Sequence, residues 1–401
     1  MPTPEQRENE PLSSTISCAE RLLGARWGQP VRLQIVEQFE SAHRVLRCRV
    51  VAPSDGVPGS VVVKQLGQTD DSLLFPPRQQ FLNEWASLEF ISDLKLACGP
   101  QLYGGDDAAQ LIVVEDLGEG PSLQDLLFGH DRAAATQALA EWSGLLGRMQ
   151  EVSAPCQEAF LALQSSRGAS TALSDGSADV RDFLPVLHEC LQVLAVAPHS
   201  DFDEAVHAVG AAMRERSPLW TLVHFDAGPH NVQPAEHGLR MLDFEFAGLG
   251  NGLIDIVGAR MAFPAAYRGR RVPAGVVEAF EERYRAERNR TIALFREEAS
   301  FHVALAQACA HWALTKLWGF WKNYLRTRLA KGPSYDARQG RDPARAAYFR
   351  QMVFTYLSSF AGATQAWRVL PELRVTIEQV MEALCGYWPE LEPWPLYPAF
   401  S

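Results

Sequence analysis

No run of this sequence is apolar enough to cross a bilayer. The longest uncharged stretch towards the C-terminus, 351–367, is broken by Gln351, Thr355, Ser358, Ser359, Thr364 and Gln365, too polar for a span that needs about 20 apolar residues. Positive charge is also short: 37 Lys and Arg against 48 Asp and Glu leave a net charge of −11. A general nucleic-acid binder needs the opposite balance to neutralise phosphates, so nucleic acid is not the expected partner. Disulfide and zinc patterns are missing too. The 7 cysteines contain no C-x-x-C, their number is odd, and they read as buried free thiols of a reducing compartment. The 10 histidines form neither H-E-x-x-H nor H-x-H, and His302 and His311 stand too far apart on a helix to share a metal. Neither the serine-hydrolase signal G-x-S-x-G nor the P-loop G-x-x-x-x-G-K-[ST] occurs. The N-terminus, MPTPEQRENEP, has no apolar core of a secretion signal, so the chain is expected in the cytoplasm and not at a membrane.

What is present belongs to an ordinary globular protein. The 401 residues are 47% hydrophobic and 21% charged. That length suggests two or three domains of about 150 residues, or one bilobal enzyme, with enough core to need no staples. Apolar, β-branched runs at 31–39, 45–52 and 60–66 are separated by polar turns such as 53–59, which predicts a strand meander. Phe81, Trp85, Leu88 and Ile91 recur at helical spacing over 81–94. A strand pair follows, ending at 110–117. Beyond residue 120 the pattern turns helical at 122–128 and 133–151, gives short strands and loops at 220–246, and is mainly helical from 252 to 390. The stretch 152–180 carries no clear period. The fold class is therefore α+β: a small antiparallel sheet with one main helix, then a larger helical half.

The sharpest local signal is His224-Phe225-Asp226-Ala227-Gly228-Pro229-His230-Asn231, followed by Leu242-Asp243-Phe244-Glu245. The spacing suits phosphoryl transfer. An Asp on a short loop can orient a hydroxyl and accept its proton. An Asn five residues on can turn back to hold Mg²⁺, and a second Asp after an apolar run can hold it from the other side.

With these residues the chain resembles the aminoglycoside phosphotransferase and choline kinase group of small-molecule kinases, which have the protein-kinase-like bilobal fold. That group's catalytic loop reads roughly H-G-D-x4-N, and its metal Asp sits in I-D-[WFY]-[ED]. Here the segments are LVHFDAGPHNV and MLDFEFAG, with Phe225 in place of the usual Gly. The resemblance runs in order over nearly the whole chain. It implies a nucleotide-binding lobe at 1–117, a catalytic and acceptor-binding lobe at 118–401, and a hinge at about 115–120. It implies ATP and Mg²⁺ as cofactors, Asp226 as catalytic base, and Asn231 and Asp243 as Mg²⁺ ligands.

Other positions follow from the same order. Lys64 ends Val61-Val62-Val63 and would pair with Glu84 to position the phosphates. Glu89 competes, but residues five apart on a helix point in different directions, and Glu84 shares its side with Trp85 and Leu88. The main chains of Glu115 and Leu117 would read the adenine edge. Ser41, within the glycine-free segment 37–45, stands where the phosphate-covering loop is expected. His224 and Asp255 would support the catalytic loop from behind, an Asp in this region of kinase-like folds bonding the loop's backbone; capping the next helix is the alternative for Asp255.

The function implied is transfer of the ATP γ-phosphoryl group to a hydroxyl of a small molecule: aminoglycoside-like, amino alcohol or sugar. The acceptor site is expected in 180–216 and 300–400. There Trp318, Phe320 and Trp321 either stack on a ligand, or hold a quaternary ammonium by cation–π attraction, or form core. The alternative is a nucleotide-binding pseudokinase acting as scaffold or sensor. Protein kinases carry H-R-D and D-F-G where this chain has H-F-D and D-F-E. Nothing in the pattern sets an oligomeric state.

Overall fold

Val61-Val62-Val63 lies at the centre of a five-stranded antiparallel sheet. The computed structural model describes residues 12–39, 43–67, 76–169, 178–264, 266, 268–288, 292–331 and 343–401. The main elements begin with α1 (Leu12–Trp27), β1 (Leu33–Phe39), β2 (Arg44–Val50), β3 (Ser60–Gln65), α2 (Pro77–Asp93), β4 (Leu102–Asp106) and β5 (Leu111–Glu115). They continue with α3 (Arg132–Ser153), α4 (Gln157–Arg167), α5 (Phe202–Arg214), β6 (Trp220–Val223), β7 (Val232–Ala235), β8 (Gly238–Met241) and β9 (Gly248–Asn251). Four long helices follow: α6 (Ala274–Arg288), α7 (Glu298–Phe320), α8 (Pro343–Trp367) and α9 (Pro371–Tyr387).

The chain divides into two compact units. The first takes the described residues of Met1–Pro121, Cys156–Ala172 and Val232–Gly248; the second takes those of Ser122–Pro155, Leu173–Asn231 and Leu249–Ser401. The chain thus leaves the first unit after Pro121 and returns to it twice, where the sequence pattern has one boundary at 115–120.

In the first unit the strands lie in the order β1-β2-β3-β5-β4. Side chains alternate across a strand. Val61 and Val63 therefore share one face with Leu46, Cys48, Val50, Leu111 and Val113, and α1 covers that face with Ala19 and Leu23. Val62 and Lys64 point the other way. Prolines 76 and 77 start α2, where a missing N–H costs nothing. Phe81, Trp85, Leu88 and Ile91 of α2 are all buried. Trp85 packs against β4 at Gly105, where there is room for no side chain. α4 lies on α2 through Phe160 and Phe90, whose ring centroids are 5.0 Å apart. Arg167 of α4 caps the indole of Trp85 at 4.2 Å.

The second unit is mainly helical. α3 lies against α6, with Trp142 wedged between Phe263 and Phe280 at 5.7 Å from each. α7 is buried round most of its surface from Ala304 to Leu317, with Val303 exposed and Gln307 and Lys316 half-buried. Its aromatic row is mostly core: Trp312 and Trp321 are buried, the Trp312 indole N–H donates to the Ile254 carbonyl at 3.0 Å, and Trp318 stacks flat on Phe183 at 4.4 Å. Among the described residues, no helix is long and apolar enough to cross a membrane.

The contact between β4 and Trp85 gives a paired prediction. A Cβ on Gly105 would stand 2.5 Å from two atoms of the Trp85 ring, whereas one on Gly104 would meet Leu22 at an ordinary 3.6 Å. Gly105→Ala should destabilise the protein by about 1–3 kcal/mol, as overpacking does. Gly104→Ala should stay within about 0.5 kcal/mol of the parent. Urea unfolding of the two variants side by side checks this.

Candidate active site

Lys64 projects from the face of β3 opposite the α1 core. Its ammonium lies 2.7 Å from Glu84 Oε2 on α2 and 2.9 Å from Asp243 Oδ1. Only 12% of the Lys64 side chain and 6% of Glu84 is exposed, against 49% of Asp243. Burial pulls the Lys64 pKa down, but the carboxylates of Asp243, Glu84 and Glu245 together outweigh it and hold the ammonium well above its ordinary value. Lys64 is therefore held in its charged form. Of the two glutamates on α2, Glu84 takes Lys64, and Glu89 takes Arg167 at 2.6 Å.

Asp243 adopts a left-handed backbone, φ 56° and ψ 62°, which Asp tolerates better than most residues. The next residues are pinned to α2. Asn83 donates its amide to the carbonyls of Glu245 (2.9 Å) and Ala247 (2.7 Å). Gln164 of α4 holds Asn83 in turn, at 2.6 Å from its carbonyl oxygen. Asn83 and Glu84 are neighbours on one helix, so a single element places both Glu84 and the segment that carries Asp243. No motif contains Asn83, Gln164 or Arg167. A buried Asn amid Phe81, Leu82 and Trp85 is the one trace of this arrangement in the sequence.

At the far end of β5, Glu115 pairs with Val61 and donates its N–H to the Gln101 carbonyl at 2.9 Å. Leu117 is half-buried. It sits between Asp116 and Gly118, whose φ of +84° favours glycine. Asp116 Oδ1 accepts the Gly118 N–H at 3.0 Å. Ser41 lies outside the described residues. The strands that flank it pair Phe39 with Val45, and His43 Nδ1 accepts the Gly67 N–H at 3.3 Å.

In the second unit, β6 leads into the His224–Asn231 loop. Asp255 turns both of its carboxylate oxygens to that loop, accepting the N–H of His224 at 2.8 Å and of Phe225 at 3.1 Å. Asp255 is 3% exposed. Burial pushes its pKa up to about 7 from 3.8, although the two N–H groups pull the other way. The residues around Asp255 are tied in turn. Gln150 of α3 donates to the Gly252 carbonyl at 3.0 Å and accepts from the Tyr284 hydroxyl at 2.5 Å. The main-chain oxygen of Gln150 accepts from Thr221 of β6 at 2.8 Å.

Phe225 has φ +61°, an uncommon backbone for a bulky residue. Its ring is 4% exposed and lies over Gly250, where a Cβ would come within 2.7 Å of it. The loop then folds back on itself. Asn231 donates its amide to Asp226 Oδ2 at 2.9 Å and to the Asp226 carbonyl at 3.1 Å. Asp226 is half-buried and Asn231 buried. With its amide turned to Asp226, Asn231 has its carboxamide oxygen to offer a cation.

Asn231 of the second unit and Asp243 of the first each carry hard oxygen atoms, the donor type that suits Mg²⁺. Among the described residues no three His, Cys, Asp or Glu side chains form a metal-holding cluster. Mg²⁺ in phosphoryl-transfer sites takes one or two carboxylates plus substrate phosphates, not a full protein cage. The oxygen chemistry of each residue, taken by itself, fits that mode.

Asp255 makes a pH prediction. Its folded pKa is raised, so the stability it contributes is fully present below pH 3.8 and is lost as the pH rises through about 7. Asp255→Asn removes this slope while the rest of the protein titrates as before. Between pH 5 and pH 8 the parent should lose on the order of 2 kcal/mol relative to Asp255→Asn. Urea unfolding of both at the two pH values reads the difference.

No protein-family profile matches the sequence, and no curated protein matches it. Solved structures similar to this chain include choline kinase from Cryptosporidium parvum Iowa II, at 11% identity and a TM-score of 0.49, over 90% of this chain and 99% of that one. A choline/ethanolamine kinase family protein from Mesorhizobium loti is similar at 14% identity and a TM-score of 0.39, over 92% of this chain and 99% of that one. Amicoumacin kinase in complex with AMP-PNP and Ca²⁺ is similar at 13% identity and a TM-score of 0.43, over 80% of this chain and 87% of that one.

Proposed function

We propose that this protein is a small-molecule kinase that transfers the γ-phosphoryl group of ATP, with Mg²⁺, to a hydroxyl of a small molecule: aminoglycoside-like, amino alcohol or sugar. The observation that carries this reading is the Lys64 ammonium, nearly buried and held at 2.7 Å by Glu84 and 2.9 Å by Asp243. A charged donor fixed on a sheet is what nucleotide phosphates need.

In this reading Lys64 donates hydrogen bonds to phosphate oxygens, and Glu84 keeps it from swinging into solvent. Asn231 holds one oxygen of Asp226, Oδ2, at 2.9 Å. Asp226 then takes the hydrogen of the acceptor hydroxyl. As the acceptor oxygen bonds to the γ-phosphorus and the bond to the leaving ADP oxygen breaks, the hydroxyl proton passes to Asp226. Asn231 and Asp243 would hold Mg²⁺, which when bound neutralises charge on the phosphates. Asp255 keeps the loop's backbone fixed through His224 and Phe225. Most of the catalysis is then positioning and electrostatics, with little covalent work for the protein.

The test is Mg²⁺-dependent ADP release over pooled aminoglycosides, amino alcohols and sugars. One pool should release ADP, and chelation of Mg²⁺ should abolish it. Asp226→Asn should lower turnover by about 10²–10⁴-fold, the range of a lost general base, with ATP affinity retained. Weakened ATP binding in that variant, with turnover per bound complex intact, would remove Asp226 from this role. ATP binding without release on any pool would favour the scaffold alternative.

A further inference from the structure

Arg47 belongs to no motif, yet it has four hydrogen-bond partners: Glu37, Asp116, Gly118 and Glu119. On β2, Leu46, Cys48 and Val50 face the α1 core. Arg47 therefore points to the opposite face, directly across from Val62 and on the same side as Lys64. Its Nε donates to Asp116 Oδ1 at 3.2 Å and its Nη2 to the Gly118 carbonyl at 3.1 Å. Its Nη1 donates to Glu37 at 2.8 Å and Glu119 at 3.2 Å. The guanidinium also lies over the Phe39 ring at 5.2 Å.

Exposure ranks these partners. Glu37 and Glu119 are 45% and 88% exposed, and ion pairs in water contribute little. Asp116 is 5% exposed and Arg47 15%, so removing Arg47 leaves a buried carboxylate uncompensated. Asp116 also accepts the Gly118 N–H at 3.0 Å. Asp116 and Gly118 are thus both fastened to one guanidinium, and Leu117 lies between them. The planar fork aims Nε at the acid and Nη2 at the carbonyl in fixed directions; a Lys ammonium is a point charge without that geometry.

We propose that Arg47 is a positioning residue for nucleotide-base recognition: by fastening Asp116 and Gly118 to β2, it sets the Leu117 main chain against the base and so governs affinity for the base, not for the phosphates. This rests on the reading of the chain as an ATP-dependent kinase. The separation of roles follows from the register. Arg47 lies opposite Val62, and Lys64 is two residues further along β3, about 7 Å away.

The experiment measures dissociation constants of Mg·ATP and Mg·CTP by calorimetry for the parent and for Arg47→Met, which keeps the apolar stem over Phe39 and loses the fork. ATP should bind about tenfold more weakly to the variant, while CTP changes by less than about twofold. The preference for ATP over CTP should therefore collapse. Arg47→Lys should recover only part of it. Hydrogen exchange at 116–119 should rise in Arg47→Met without any ligand. Unchanged ATP affinity, or equal losses for ATP and CTP, overturns the proposal. Should Arg47→Met not fold, Asp116→Asn carries the same expectation and the same refutation. A parent protein that binds neither nucleotide overturns the kinase reading itself, and this proposal with it. A parent that binds ATP while the variants keep its preference overturns this proposal alone.

Discussion

Taking the Lys64 ammonium out of water costs several kcal/mol, and the first unit has gathered carboxylates around it to offset that cost. Glu84 and Asp243 touch it, and Glu245 adds its charge from further off. Each of these comes from a different demand on the chain. Glu84 needs α2 to lie along the sheet, which Trp85 secures by filling the space over Gly105. Asp243 needs a left-handed turn after β8, which Asn83 secures by holding the carbonyls beyond it. The Lys64 cluster thus depends on contacts made by three separate stretches of sequence. A change in any of them would leave a charge without its counterpart.

The second unit solves a related problem with the opposite sign. Asp255 is a buried carboxylate with no cation on it, stabilised by two backbone N–H groups. Such bonds are charge-assisted and strong, yet burial still wins and raises its pKa. The carboxylate serves the backbone of the loop, so it fixes the path of the chain at His224 and Phe225. Gln150, Thr221 and Tyr284 extend the same hydrogen-bond network into α3, β6 and α6.

Elements with a strong local period were legible in the sequence. β3 follows from its β-branched run Val61-Val62-Val63, and α2 from its apolar spacing, although it begins at Pro77 where the spacing alone suggests 81. The choice of Glu84 over Glu89 was legible as well, because five residues turn a helix through well over a quarter circle. What was not legible is polar and long-range. Arg47 reaches Asp116 across 69 positions and Asn83 reaches Glu245 across 162, and such bonds leave no periodic trace. α4 escaped notice because only Phe160 and Gln164 of it are buried, too few to mark a stripe. The aromatic row of α7 was ambiguous for the opposite reason. A helix buried round most of its surface has little polar face to show which side meets a ligand.

Phe225 bears on how this protein can change. Its left-handed backbone is strained for a bulky residue, by about 1–2 kcal/mol, and burial of the ring offsets that. The ring fits only because Gly250 has no side chain. The two positions are therefore locked together in order as well as in identity. A lineage carrying this pair cannot acquire a side chain at 250 until 225 has first become small. The reverse route needs the glycine at 250 to be in place before a phenylalanine can arrive. Both routes pass through one intermediate, a small residue at 225 with glycine at 250, and a variant with bulk at both positions would carry an overpacking cost of about 1–3 kcal/mol.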